Sequence, residues 1–176
     1  MNIILIGYRA AGKTTVGRKL SDTLRKAFVD TDDLIEELQG APISEIVKSH
    51  GWDHFRAIEK KVISEISKHD ELIIASGGGV VLSPENVETL KRNGFVIWLK
   101  ADLEALLGRM AKDPRTATAR PSLTGKGSLE ELKEVLAQRE VLYRKASEVQ
   151  VDTSTLDEEE VVRSVLSLLP DRVGRA

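Results

Sequence analysis

The sequence predicts an α/β sandwich, in which helices cover both faces of a parallel sheet. Short apolar runs alternate along the chain with longer segments of helical periodicity. The inner residues of these runs are apolar without strict polar alternation, which is typical of strands that are buried on both faces. The predicted strands are 3–6, 27–30, 72–75, 95–99 and 149–151.

Capping residues mark where several predicted helices begin and end. Ser83 can cap a helix that has Pro84 in its first turn, and Gly94 comes just past the end of that helix. Three further helix starts are indicated in a similar way. They are Asp102, the possible capping box of Ser128 and Glu131, and the acidic run 157–160, whose charge suits a helix N-terminus.

The composition suits a single domain over residues 1–176. Of the 176 residues 41% are hydrophobic, and the net charge of −2 has both signs spread along the chain. We therefore expect neither nucleic acid nor an anionic membrane as a partner. The absence of cysteine excludes disulfides and thiolate metal sites. No basic region precedes the first apolar run, so we expect no signal peptide and a cytoplasmic location.

The segment 111–127 fits neither the strand pattern nor the helix pattern. It contains two prolines, two glycines and four basic residues. A run of this length without secondary structure inside a compact domain is either functional, often as a lid, or disordered. Composition alone leaves both interpretations open.

The turn GYRAAGKT, at residues 7–14, predicts a binding site for a nucleoside triphosphate. It matches the pattern G-x-x-x-x-G-K-[ST] through Gly7, Gly12, Lys13 and Thr14, and it joins a predicted strand to a predicted helix. Backbone N–H groups can converge on phosphate oxygens there, and the helix N-terminus adds a positive dipole end. Lys13 would reach the β- and γ-phosphates, and the Thr14 hydroxyl would complete a Mg²⁺ shell.

Two aspartates, Asp30 and Asp32, follow the second predicted strand. They would share one face if strand geometry continued, and they would lie at the carboxyl edge of the sheet, where ligands bind. Two carboxylates beside a phosphate site need a cation. Asp30 would then lie near Mg²⁺, and Asp32 could accept a proton from a substrate hydroxyl. The alternative is that Asp32 or Asp33 only caps the following helix.

Three consecutive glycines, Gly77, Gly78 and Gly79, follow the third predicted strand. Their place at the carboxyl end of a strand indicates a wall that a ligand approaches closely, although a flexible turn would use the same residues. This segment lacks the acidic residue that ends the third strand in many nucleotide hydrolases. A kinase is therefore better supported than a hydrolase that activates water.

Four arginines could contact a phosphoryl group or an acidic substrate, because the guanidinium provides rigid, forked donors. Arg56 lies three residues before Glu59 and can pair with it on one helix face. The other three are Arg139 and, within the segment 111–127, Arg115 and Arg120. A single arginine is more often a solvated surface charge, and spacing alone does not show that the four converge.

Six motifs, in this order along the chain, make the sequence resemble the shikimate kinases. They are GYRAAGKTTVGRKL, FVDTDDLIE, GWDHFRAIE, SGGGVV, ARPSL and REVLYRKAS. The resemblance implies a P-loop kinase fold like that of nucleoside monophosphate kinases: a three-layer sandwich with a five-stranded parallel sheet, a substrate-binding region at about 32–60 and a mobile lid at about 111–127. It also implies a monomer that transfers the γ-phosphoryl group of ATP to the 3-hydroxyl of shikimate, on the route to aromatic amino acids.

The resemblance further implies roles for individual residues. The residues implied for ATP are Gly7, Ala10, Ala11, Gly12, Lys13, Thr14, Thr15, Arg115 and Arg120, and those for Mg²⁺ are Thr14 and Asp30. The residues implied for shikimate are Asp32, Arg56, Gly77, Gly78, Gly79 and Arg139. The two arginines in this set would hold the carboxylate of shikimate. Catalysis would depend on Lys13, Asp32 as base, and Arg120.

Two positions depart from the usual family pattern. Ala10 stands where glycine is common; it can still donate its N–H if its φ remains negative, so we expect a small effect. Ser122 replaces an apolar residue of the implied lid.

Two rival functions are a kinase of similar fold acting on gluconate or a nucleoside monophosphate, and a nucleotide-binding regulatory protein without catalysis. The first rival is disfavoured by three segments of the sequence: FR followed by E, SGGG, and LYR. The second rival would have little reason to retain Lys13, Asp30, Asp32, Arg56 and Arg139 together.

Overall fold

The structure, a computed structural model, describes residues 1–112 and 129–171. Within these residues five strands form one sheet in which every neighbouring pair is parallel, in the order β2-β3-β1-β4-β5. The strands coincide with the five predicted runs, and three are longer by one residue at one or both ends. They are β1 (Asn2–Ile6), β2 (Ala27–Asp30), β3 (Leu72–Ala75), β4 (Gly94–Lys100) and β5 (Val149–Asp152).

Helices connect these strands and cover the sheet. The described helices are α1 (Lys13–Leu24), α2 (Thr31–Gln39), α3 (Ile43–Ile66), α4 (Pro84–Arg92), α5 (Leu103–Lys112), α6 (Leu129–Ala146) and α7 (Glu158–Leu168). Gly51 interrupts α3 with a non-helical backbone, at φ 82° and ψ 170°. A short 3-10 turn, Val80–Leu82, precedes α4. In the part of the chain that the structure describes, no helix has both the length and the apolar character that crossing a membrane requires.

Side-chain caps begin three helices at starts that the sequence indicates. The Ser83 hydroxyl accepts a hydrogen bond from the backbone of α4, and Asp102 accepts one from the first turn of α5. At the start of α7, Asp157 and Glu160 form a reciprocal capping box. The predicted lid, except for residues 111–112 at the end of α5, lies outside the described residues. So do Arg115, Arg120, Ser122 and the capping box that involves Ser128.

The central strand β1 is buried along its whole length, and it lies between β3 and β4. The connection from β1 runs to the edge strand β2, whereas the connection from β3 runs the other way, past β1 to β4. Because such crossovers are right-handed, helices lie on opposite faces of the sheet, and α1 accordingly packs with α7 while α3 packs with α4. A crevice for ligands opens where the two connections diverge, at the carboxyl ends of β1 and β3.

Candidate active site

The loop between β1 and α1 forms a cradle at the carboxyl edge of the sheet. Gly12 has a φ of 93° and stands directly before α1, so the N–H groups of the first helical turn have no partner earlier in the helix. The Lys13 ammonium donates hydrogen bonds to the carbonyls of Gly7 and Tyr8, both at 2.9 Å. The loop therefore holds its own lysine beside a cavity of about 560 Å³ that residues 10–16 help to line.

Ala10 adopts a left-handed backbone within this loop, with a φ of 62°. The condition of a negative φ, on which the expected small effect depended, is therefore not met. The chain reverses here so that the Ala11 N–H can donate to the carbonyl of Tyr8, at 3.2 Å. A left-handed conformation costs a residue with a Cβ about 1–2 kcal/mol, and glycine avoids this cost.

Asp30 joins the cradle to the next strand. Its Oδ2 accepts a hydrogen bond of 2.7 Å from the Thr14 hydroxyl, and its Oδ1 accepts bonds from the N–H groups of Asp32 and Asp33. The cap of α2 is thus Asp30, and the alternative that Asp32 or Asp33 caps it is wrong. The idea of a continuing strand is wrong too, because α2 begins at Thr31 and Asp32 lies in its first turn.

The paired oxygens of Thr14 and Asp30 fit a magnesium ion. Among the described residues no cluster of three or more histidine or acidic side chains could hold a metal. Mg²⁺ needs no such cluster, because it is commonly bound by one or two protein oxygens together with substrate phosphates and water. A hydroxyl and a carboxylate at the edge of the triphosphate cavity supply the hard oxygen ligands that Mg²⁺ prefers.

A second, smaller cavity of about 70 Å³ lies next to the first, and we call it the acceptor pocket. It brings together all six residues implied for the substrate. Its lining is Tyr8, Arg9, Asp32, Ile43, Trp52, Phe55, Arg56, Glu59, Gly77, Gly78, Gly79 and Arg139. Three arginines and two carboxylates in this lining give a formal charge of one positive unit, which suits an acceptor with a single negative charge.

Asp32 is the one described residue that lines both cavities. The glycine wall allows this position, because a side-chain carbon at Gly77 would stand 2.6 Å from Asp32 Oδ1 and 3.1 Å from Glu59 Oε1. A carbon at Gly79 would overlap the guanidinium of Arg56. Glycine at positions 77 and 79 thus leaves room for these charged side chains, and the alternative of a merely flexible turn does not explain these close approaches.

The predicted pair of Arg56 and Glu59 is present at the base of the pocket. Arg56 Nη1 donates to both carboxylate oxygens of Glu59, at 2.9 and 2.8 Å. Glu59 is only 1% exposed, and this burial raises its pKa above the ordinary value of 4.5, while Arg56 opposes the rise. Arg139 is also buried; it donates to the Gly78 carbonyl at 3.1 Å and lies over the ring of Tyr8.

Several residues of the two cavities escaped the sequence reasoning. Arg9 lines the acceptor pocket, and its buried Nε has no hydrogen-bond partner among the residues that the structure describes. Arg109, in the last turns of α5, donates to Thr153 Oγ1 at 3.0 Å and lines the triphosphate cavity. Arg9 lies inside the turn GYRAAGKT, so the sequence could have indicated it. Nothing in the sequence marks Arg109, because only the fold brings α5 to the loop after β5.

Replacing Ala10 by glycine should not destabilise the fold, although most Ala→Gly changes do. The variant loses the strain of the left-handed backbone, and this gain offsets or exceeds the cost of the greater freedom of glycine in the unfolded chain. We therefore expect the free energy of unfolding of Ala10→Gly to be higher than that of the wild type by between zero and about 1 kcal/mol. Ala11, which is buried and has no positive φ, provides the matched control, and Ala11→Gly should cost about 1 kcal/mol. Urea unfolding measures both, and equal losses would contradict the assignment of strain to Ala10.

The buried carboxyl of Glu59 should make stability depend on pH. In the unfolded chain it ionises near pH 4.5, whereas burial raises the pKa in the folded protein. As the pH rises, the unfolded state therefore loses this proton before the folded state does. From pH 4.5 upward the free energy of unfolding of the wild type should fall relative to that of Glu59→Gln, until the pH passes the pKa of the folded state. Urea unfolding of both proteins between pH 4.5 and neutrality tests this. A pH-independent difference, or one that grows in favour of the wild type, would refute it.

Sequence relatives cover almost the whole chain. The family model for shikimate kinase matches residues 9–170. The shikimate kinase of Syntrophus aciditrophicus is 41% identical over 173 residues, which cover 94% of this chain and 89% of that protein. The shikimate kinase of Caldanaerobacter subterraneus is 39% identical over 170 residues, covering 95% of this chain and 97% of that protein.

Solved structures give the same result. A shikimate kinase from Acinetobacter baumannii, in complex with shikimate, superimposes with a TM-score of 0.88 at 34% identity, covering 95% of this chain and 91% of that one. A gluconokinase from Sinorhizobium meliloti reaches a TM-score of only 0.51 at 17% identity, which is a likeness in fold alone. With the family model matching most of its length, the chain belongs to the shikimate kinase family.

Proposed function

We propose that this protein transfers the γ-phosphoryl group of ATP to the 3-hydroxyl group of shikimate. The observation that carries the proposal is the position of Asp32, which lines both the triphosphate cavity and the acceptor pocket. A carboxylate at this junction can take the proton of an acceptor hydroxyl where the phosphoryl group arrives. Membership of the shikimate kinase family, and the shikimate bound to the Acinetobacter relative, support shikimate as the acceptor.

The chemistry of the acceptor pocket supports this choice. Shikimate carries one carboxylate and vicinal hydroxyl groups. Arg56 and Arg139 offer forked donors for the carboxylate, and Asp32 can accept hydrogen bonds from the hydroxyls. Because Arg56 donates hydrogen bonds to both carboxylate oxygens of Glu59, its guanidinium is held in place before the substrate binds. Such preorganisation reduces the cost of ordering the site on binding.

The cradle would bind the triphosphate through backbone N–H groups and charge. The N–H groups of Ala10, Gly12 and Thr15, which line the triphosphate cavity, are proposed to face the phosphates, and the Lys13 ammonium to follow the γ-phosphoryl group. Gly7 and Ala11 are proposed to shape the turn, because the Gly7 carbonyl accepts a hydrogen bond from Lys13 and the Ala11 N–H donates to Tyr8. Thr14 and Asp30 would hold Mg²⁺, which when bound neutralises part of the phosphate charge. Arg115 and Arg120 stay predictions for ATP, because both lie outside the described residues.

The proposed reaction is a single displacement at phosphorus. The 3-hydroxyl oxygen forms a bond to the γ-phosphorus as the bond to the departing ADP oxygen breaks, and the hydroxyl proton passes to Asp32. Lys13 stabilises the negative charge that spreads over the transferred group. Catalysis of this kind depends on positioning rather than on covalent chemistry of the protein. The resemblance also leads us to propose that the protein is a cytoplasmic monomer.

A coupled assay of ADP release tests the substrate. ADP release should be rapid with shikimate and close to background with gluconate, with nucleoside monophosphates and without any acceptor. Size-exclusion chromatography of the same preparation tests the monomer. Faster turnover of gluconate or of a nucleoside monophosphate would overturn the proposed acceptor, and acceptor-independent ADP release would make the protein a hydrolase.

Replacing Asp32 by asparagine should lower kcat by about two to four powers of ten, the usual contribution of a positioned acid–base group. The KM for shikimate should change much less, because asparagine still hydrogen-bonds hydroxyl groups. Asp33→Asn is the matched control: its side chain is on the same helical turn, half exposed, and outside both cavities. Steady-state kinetics decide the point. An effect of Asp32→Asn confined to KM would make Asp32 a binding residue and not the base.

A further inference from the structure

The backbone carbonyl of Gly78 accepts two hydrogen bonds from helix α6. Tyr143 donates its hydroxyl to this oxygen at 2.5 Å, and Arg139 Nη1 donates at 3.1 Å. Gly78 belongs to the wall of the acceptor pocket, and Arg139 lies on the same pocket. A single carbonyl therefore connects the glycine wall after β3 to the helix that carries the proposed carboxylate-binding arginine.

Tyr143 is a fixed donor. Its side chain is among the most deeply buried in the protein, and its ring stacks on Trp98 with the centroids 5.8 Å apart. Burial raises the pKa of the Tyr143 hydroxyl above its ordinary value of 10.0, so this group keeps its proton at any pH at which the enzyme would work. The ring packing sets the direction of the hydroxyl, and the proton remains available to Gly78.

The two donors to Gly78 differ in what else they face. Arg139 lines the acceptor pocket, so under the proposed function it divides its donors between the Gly78 carbonyl and the substrate carboxylate. Tyr143 does not line that pocket. Tyr143 can therefore keep its hydrogen bond to Gly78 when substrate is bound. The Gly78 carbonyl then still has one partner if Arg139 turns to the ligand. Burying a polar group without a partner is costly.

We propose that Tyr143 is a positioning residue for the acceptor: its hydroxyl holds the Gly78 carbonyl, and so fixes the spacing between the glycine wall and Arg139 that the substrate carboxylate and ring require. The identity of the acceptor rests on the proposed function. The role of the Tyr143 hydroxyl in holding Gly78 does not rest on the proposed function, because this role follows from contacts within the protein alone.

The variant Tyr143→Phe removes the hydroxyl and retains the ring that stacks on Trp98. We expect the KM for shikimate to rise about tenfold, which corresponds to the loss of one well-formed hydrogen bond. The value of kcat and the KM for ATP should change by no more than about twofold, since Tyr143 does not line the triphosphate cavity. An unchanged KM for shikimate would overturn the proposal, as would equal rises in both KM values.

Leu24→Ala is the matched control for a general loss of stability. Leu24 is buried at the last turn of α1, at the far end of this helix from the cradle. This variant should unfold at lower urea concentration and keep both KM values near those of the wild type. If Leu24→Ala raised the KM for shikimate as Tyr143→Phe does, the effect would reflect lost stability, and the proposal would fail.

An NMR measurement tests the hydrogen bond without any substrate. The adjacent glycine pairs of the sequence are Gly77–Gly78 and Gly78–Gly79, so protein labelled with glycine carrying ¹³C at the carbonyl and ¹⁵N gives carbonyl–amide correlations for these two peptides alone. In Tyr143→Phe the Gly78 carbonyl resonance should move upfield, as expected when a donor is lost, while the Gly77 carbonyl stays in place. An unmoved Gly78 signal would refute the proposal. A wild type that does not phosphorylate shikimate would instead refute the proposed function and leave this readout decisive for Tyr143.

Discussion

The parallel pairing of β1 with β3 is the constraint on which the rest of the site depends. The register places Leu5 beside Ala75, so the two strands end together and their following loops meet at one edge of the sheet. A side-chain carbon at Gly78 would stand only 3.4 Å from the backbone nitrogen of Arg9, which shows how closely the phosphate loop and the glycine wall approach. Tyr8 and Arg9 of the phosphate loop line the acceptor pocket, and the following residues 10–14 line the triphosphate cavity. Two binding sites share one backbone segment, as the transfer of a group between two ligands requires.

The abrupt passage from β2 to α2 supplies the residue between the two cavities. Asp30 ends the strand, bonds the Thr14 hydroxyl with one oxygen and caps α2 with the other. This turn leaves no intervening loop, so Asp32 lies in the first helical turn and faces the boundary of the two cavities. One carboxylate thus connects the proposed metal site to the position of the proposed base. The wall opposite is formed by glycines, whose lack of side chains leaves room for Asp32, Glu59 and Arg56.

Local patterns predicted the fold well, because the elements of a parallel sheet are specified by short apolar runs and by caps such as Ser83 and Asp102. The cradle and the pair of Arg56 and Glu59 were also predictable, since both depend on neighbours within one turn. The backbone of Ala10 was not, because its φ is set by the tight turn of the loop and not by its residue type. Arg109 and Tyr143 were not found as members of the site, because their partners lie 44 and 65 residues away in sequence.

The central claim is that an acceptor hydroxyl and the terminal phosphate of ATP meet beside Asp32. A crystal structure with shikimate and a non-hydrolysable ATP analogue tests it most directly. The account predicts that the 3-hydroxyl oxygen lies about 3–3.5 Å from the γ-phosphorus, within hydrogen-bond distance of the Asp32 carboxylate. Shikimate bound outside the acceptor pocket, or a 3-hydroxyl turned away from both groups in the complete complex, would contradict the account.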